Sequence, residues 1–170
     1  MISFFLPIRK NNKRIKDKNI KRIFNYNFGL TEIKIDHFNK FRKRANSDKK
    51  LKNLKFEFIV SSDDPRVEKY LKDFKWIKFI RRPSNLAKDD CLDKLVEYTA
   101  SICKGDHILW THVTSPLFDH ICYEQLLKYY IKNVGSYDSC FTADKLRTFI
   151  YNQTNLCPLN IAIILLVIFI

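Results

Sequence analysis

At 170 residues, 46% hydrophobic and 14% aromatic, the chain can build one core, and its composition excludes a disordered protein. Its net charge of +13 is concentrated: residues 1–55 hold 17 Lys/Arg against 4 Asp/Glu, while residues 56–170 hold 14 of each. A basic first third points to a bound polyanion, and five scattered cysteines without a CxxC pair or a signal-peptide pattern point to reduced thiols in a cytoplasmic protein.

The first predicted element is a strand over Ile2–Ile8, an apolar run of buried-strand length. It leads straight into Pro7–Asn19, PIRKNNKRIKDKN, with six Lys/Arg, three Asn and one acid. Leu30, Ile33, Phe38 and Phe41 then share a helical face, although Ile35 and His37 blur the period. Arg42–Lys55 has no apolar rhythm and reads as an exposed loop, a solvated stretch rather than a nucleic-acid groove. Phe56–Val60 is a second strand, ended by the turn-formers Ser61-Ser62-Asp63-Asp64-Pro65, and Pro65 suits the first turn of a helix continued by Val67, Tyr70 and Leu71. Trp76–Ile80 is a third strand stopped by Arg82-Pro83, Asp90–Ile102 a helix, His107–Thr111 a fourth strand, Ile121–Ile131 a helix and Ser139–Thr142 a fifth strand. Short apolar strands alternating with helices predict a mainly parallel α/β sheet covered on both faces. In such a sheet ligands bind beyond the carboxyl ends of the strands, which is where the basic loop falls. That loop carries neither a GK[ST] phosphate loop nor a GxGxxG fingerprint.

Four segments, in order, carry a resemblance. IRKNNKRIKDKN matches a nucleotide-loop pattern at Arg9, Asn11, Lys13, Ile15, Lys18 and Asn19; Ser61-Ser62-Asp63 ends the second strand; RPSNLAKD runs from Arg82 to Asp89; and THVTSPL runs from Thr111 to Leu117. Together they resemble the acylneuraminate cytidylyltransferase family, over roughly residues 2–145. The resemblance implies a Rossmann-like nucleotide-diphospho-sugar transferase fold over residues 1–153, and transfer of CMP from CTP to a nine-carbon acidic sugar, a nonulosonic acid, with release of pyrophosphate.

It also implies roles. Arg9, Lys13 and Lys18 would hold the triphosphate and act in catalysis, with Asn11 and Asn12 lending donors. Asn19 and Arg82 would lie near base and ribose, Ser61 and Asp63 would line the same pocket, and His112, Thr114 and Ser115 would face the sugar. Four positions depart from the family pattern: Asn12 replaces a serine, Arg14 a glycine, and His112-Val113 a Gln-Pro pair. The family implies Mg²⁺ and a homodimer, with the metal-binding Asp-x-Asp and the dimer segment in a region beyond residue 170. Asp63-Asp64 and Asp89-Asp90 are paired acids but match positions other than that metal pair.

Residues 154–170 end in ten apolar residues, Ile161–Ile170, too few to span a bilayer. The expectation is that this tail replaces the family's continuation and weakens or abolishes turnover; an extra strand is the next reading and a membrane anchor the last. A non-catalytic nucleotide or nucleic-acid binder is the alternative function.

Overall fold

The computed structural model describes residues 1–10, 12, 14–87, 91–143, 150–151, 158–159 and 168–169. Its scaffold is a sheet of order β3-β2-β1-β4-β7. Strands β1 (Ile2–Ile8), β2 (Phe56–Ser62), β3 (Ile77–Arg81) and β4 (His107–Trp110) run parallel. Helix α1 (Gly29–Ala45) connects β1 to β2, α2 (Pro65–Leu71) connects β2 to β3, and α3 (Leu92–Ile102) connects β3 to β4, with a 3₁₀ turn at Ser84–Leu86; α4 (His120–Asn133) follows β4.

β1 is central and buried on both faces, which is why its sequence is an apolar run rather than an alternation. Phe4, Leu6 and Ile8 point to one face, where Ile35, Phe38 and Phe41 of α1, Val67 and Leu71 of α2, and Tyr123 and Leu127 of α4 close the larger core. Phe5 points to the other face and packs with Ile59, Ile108 and Trp110 beneath Leu95 and Val96 of α3. Helices thus cover both faces, as the alternating pattern requires.

Several element boundaries differ from expectation. The α1 helix continues through Arg42–Ala45 because Phe41 and Ala45, four residues apart, are both buried. Its inward face includes Thr31, Lys34, Ile35, Phe38 and Phe41, so Ile35 belongs to the core while Ile33 is only half-buried. Within the expected loop, Leu51 is fully buried. No strand forms at Ser139–Thr142, where Phe141 is exposed; so short a run forms a strand only where an edge pairs with it. The edge of β4 is taken instead by β7 (Ile168–Phe169), antiparallel, with Leu109 opposite Phe169. That much of the apolar tail is an added strand; residues 160–167 and 170 lie outside the described residues. A two-stranded ribbon joins β5 (Ile150–Tyr151) to β6 (Pro158–Leu159). Among the described residues no helix is long and apolar enough to cross a membrane.

Candidate functional site

The strand register aligns three carboxyl ends. Ile8 pairs with Ser62 and Ser62 with Arg81, so Arg9, Asp63 and Arg82 leave the sheet side by side, while β4 ends opposite Phe5 and brings Thr111 beside Leu6, three residues earlier.

The loop after β1 is held by backbone and carboxylate. The Lys10 amide donates to Asp63 Oδ1 at 2.8 Å, and the Asn19 amide nitrogen donates to the Arg9 carbonyl at 3.0 Å. The Asn19 carbonyl in turn accepts from the Thr31 amide at 2.9 Å and the Thr31 hydroxyl at 2.8 Å, fastening the loop to α1. Asn12 donates to the Arg9 and Lys10 carbonyls. Gly29 makes the return possible: it starts α1 with φ +56°, and a Cβ there would stand 2.1 Å from the Lys21 carbonyl oxygen.

Asp64 caps α2 by accepting from the Arg66 amide at 2.9 Å, as its place before Pro65 allows. Arg66 also donates to both Asp64 oxygens and, at 2.7 Å, to Asp17 on the basic loop. Burial raises the Asp64 carboxyl, and its bonds from Arg66 more than reverse this, leaving it below the usual carboxylate range. Between loop and helix lies a cleft of about 550 Å³ lined by Lys10, Asn12, Lys16, Asp17, Asp64 and Arg66. Among the described residues expected to bind the nucleotide, Asn12 alone borders this cleft.

Of the other described ones, Arg9, Asn19, Ser61, Asp63 and Arg82 meet at the ends of β1, β2 and β3. Arg82 is 5% exposed; its amide donates to the Ser62 carbonyl and its guanidinium to the Ser61 carbonyl, both at 2.9 Å. Burial lowers its pKa, with Asp63 opposing and Arg9 reinforcing the effect. Among the described residues, three buried polar atoms here have no hydrogen-bond partner: Asn19 Oδ1, Ser61 Oγ and Arg82 Nε. Each such atom costs about 1–3 kcal/mol when left unpaired, and native proteins keep few of them. Arg9 and Lys18 are half-buried. Asn11, Lys13, Asp89 and Asp90 lie outside the described residues.

The segment after β4 is a separate wall. The Thr111 amide and hydroxyl both donate to the Phe5 carbonyl, at 2.8 and 2.9 Å. Two turns follow, from the Ser115 amide to the His112 carbonyl (3.3 Å) and from the Phe118 amide to the Ser115 carbonyl (3.1 Å). Thr114 is exposed, while His112 and Ser115 are half-buried. Burial, then the nearby Lys34 ammonium, holds the His112 imidazole below its ordinary pKa, so it is neutral at pH 7.

Sequence reasoning missed Asp17, Arg66, Thr31 and Lys34. The Asp-Pro cap signals Asp64 and α2, but nothing in the sequence pairs Asp17 with Arg66 across 49 positions.

Magnesium fits poorly on these residues. Asp64 is taken up by Arg66 and the α2 cap, and Asp63 accepts the Lys10 amide. Among the described residues no group of three or more His, Cys, Asp or Glu side chains is arranged to hold a metal.

No curated protein sequence matches the chain. Many solved structures share its fold, and three of them illustrate the likeness. The bifunctional IspDF of Campylobacter jejuni is 14% identical, with a TM-score of 0.63 over 99% of this chain and 40% of its own. A CMP:2-keto-3-deoxy-manno-octonic acid synthetase complexed with CTP is 21% identical, with a TM-score of 0.54 over 78% of this chain and 48% of its own. The 4-diphosphocytidyl-2C-methyl-D-erythritol synthase of Anaerococcus prevotii DSM 20548 is 11% identical, with a TM-score of 0.63 over 99% of this chain and 68% of its own. The chain therefore spans less than half the length of the first two. A family model described as cytidylyltransferase matches residues 4–159, from within β1 through the basic loop, the β4 segment and β6. With nearly the whole chain inside that match, and a cytidylyltransferase-like sheet carrying the loop, the protein belongs to the cytidylyltransferase family.

Proposed function

We propose that the chain binds CTP at the carboxyl edge of β1, β2 and β3 and transfers CMP to a nonulosonic acid, releasing pyrophosphate. The observation that carries this reading is the set of three unpartnered buried atoms beside a cationic loop. An acceptor (Asn19 Oδ1), a donor (Arg82 Nε) and a hydroxyl able to do either (Ser61) complement cytosine, whose amino group donates and whose N3 and O2 accept.

Arg9, Lys13 and Lys18, with Asn11 and Asn12, would bind the triphosphate through charge-assisted hydrogen bonds. Asp63 holds the loop closed through the Lys10 amide rather than meeting phosphate, which its charge would repel. A hydroxyl of the acceptor forms a new bond to the α-phosphorus, the bond from that phosphorus to the bridging oxygen breaks, and pyrophosphate leaves with its electron pair. The hydroxyl proton passes to solvent. Positioning and cationic stabilisation of the leaving group supply the catalysis. No step is routed through a protein-held metal, since the described carboxylates do not fit one.

The acceptor assignment rests on THVTSPL, in which neutral His112 can donate one hydrogen bond and accept another, and Thr114 and Ser115 offer hydroxyls. The test pairs calorimetry of CTP, UTP and ATP with pyrophosphate release from CTP, Mg²⁺ and a panel of nonulosonic and octulosonic acids. CTP preference with release on a nonulosonic acid is expected. Equal affinity for all three nucleotides would remove the base site, and CTP binding without release on any acid would reduce the function to nucleotide binding.

A further inference from the structure

Lys34 stands where the helical pattern calls for an apolar residue. It lies on the inward face of α1 between Thr31 and Phe38, and it is 0% exposed. Its ammonium donates to the Phe118 carbonyl at 2.7 Å and to the Tyr123 hydroxyl at 3.0 Å. The Tyr123 ring centroid is 5.1 Å from the same nitrogen and that of Phe118 is 5.9 Å away, so two aromatic faces help to replace its water. The titratable groups around it are His37 on its own helix, His112 on the loop, and Asp119, Cys122 and Tyr123 at the start of α4. Burial lowers its pKa to about 7, with the Cys122 and Asp119 charges opposing.

A methionine or leucine would fill this volume without desolvating a charge. What the amine adds is a fixed direction at one carbonyl. Phe118 closes the two-turn segment that begins at His112, through hydrogen bonds from the Phe118 amide to the Ser115 carbonyl and from the Ser115 amide to the His112 carbonyl. At the other end Thr111 is fastened to β1 by two bonds to Phe5. The segment is therefore pinned at both ends, once to the sheet and once to a buried lysine. A neutral amine keeps the second pin, since it can donate to Phe118 while accepting the Tyr123 proton.

We infer that Lys34 is a positioning residue for the acceptor: through the Phe118 carbonyl it sets the arrangement of His112, Thr114 and Ser115. This rests on the reading of that segment as the acceptor wall.

The experiment follows amide hydrogen exchange over residues 112–118 in the wild type, Lys34→Met and Tyr123→Phe, with CTP and nonulosonic acid affinities measured on the same preparations. Lys34→Met is expected to speed exchange at Ser115 and Phe118 at least tenfold and to raise the acceptor Kd at least tenfold, with the CTP Kd within twofold. Tyr123→Phe keeps the bond from Lys34 to Phe118, so its exchange should stay near wild type, which separates a latch from general damage to the core. If Lys34→Met does not fold, Lys34→Leu withdraws the donor with a shorter apolar side chain and should give the same pattern. Unchanged exchange in the folded Lys34 variant, or equal acceleration in Tyr123→Phe, overturns the latch even where the wild type binds the acid. A wild type that binds no acid overturns the acceptor reading, and this use of Lys34 with it.

Discussion

Ser61→Ala should make the protein more stable and worse at holding CTP. The Ser61 hydroxyl is buried and has no hydrogen-bond partner among the described residues, while the backbone carbonyl of the same residue accepts from Arg82. Alanine keeps that carbonyl and the register with Pro7, and removes only the orphaned oxygen. Relief of an unpaired buried hydroxyl is worth about 1–3 kcal/mol, less a small loss of packing, so a gain of about 1 kcal/mol or more is expected. In a chain of this size that raises Tm by about 2–4 °C. CTP should bind roughly 2- to 13-fold more weakly, the equivalent of one neutral hydrogen bond of about 0.5–1.5 kcal/mol. Urea unfolding without nucleotide and calorimetry with CTP measure the two quantities on one sample. The opposite signs are the signature of a polar atom kept for a ligand. A variant that loses stability, or that binds CTP as tightly as the wild type, would refute the reasoning and make Ser61 a structural residue.

Lys18→Ala should weaken CTP roughly 10- to 150-fold, the worth of a charged phosphate contact of about 1.5–3 kcal/mol, and Lys13→Ala should do the same; calorimetry showing no loss in either would place the triphosphate elsewhere. Arg82→Ala should narrow the preference for CTP over UTP and ATP, and equal losses for all three nucleotides would remove it from base recognition. Gly29→Ala should destabilise by at least about 1–2 kcal/mol, because the residue sits at φ +56° and its new Cβ would meet the Lys21 carbonyl; a Tm within 1 °C or so of wild type would show that the loop yields freely. Lys34 makes stability depend on pH with a definite sign. Its folded pKa of about 7 lies below the ordinary 10.5, so between those values the unfolded chain carries the proton and the folded chain does not. Stability should therefore rise with pH across that window by roughly 1.4 kcal/mol per unit, and be lost again as pH falls to 7. His37, lowered to about 4 from 6.5, places a second rise at lower pH. Comparing urea midpoints from pH 4 to 10 in wild type and Lys34→Met should show the upper rise vanish and the lower one persist; an upper rise that survives the substitution would show that Lys34 is not its source.

The fold was readable because its core follows hydrophobic rules. The unbroken run of β1, the Asp64-Pro65 start of α2 and the alternation of strands with helices each have one structural solution in a parallel sheet. Where the reading failed, local pattern was too short or was outweighed. Ser139–Thr142 offers two apolar residues and no edge, and the edge of β4 went to Ile168–Phe169, sixty positions away in the chain from Leu109 and Trp110. The candidate site divides the same way. Its cations are visible because six of them crowd thirteen residues, and charge density needs no structure to be seen.

The polar atoms beneath those cations are a different matter. By composition and spacing Asn19, Ser61 and Arg82 are ordinary loop and strand-end residues; only the family resemblance named them, and the register of β1, β2 and β3 puts their ends together. Lys34 is harder still, since a lysine at a helix position reads as solvent-facing by every pattern rule. Only the packing of α1 against the Phe118 carbonyl and Tyr123 turns it inward, and that contact joins residues more than eighty positions apart. Sequence patterns register burial through hydrophobicity, so residues buried for their hydrogen bonds escape them. In an α/β chain of this kind the residues that shape a ligand site are drawn from that class, because a site must present polar atoms and also withhold them from water.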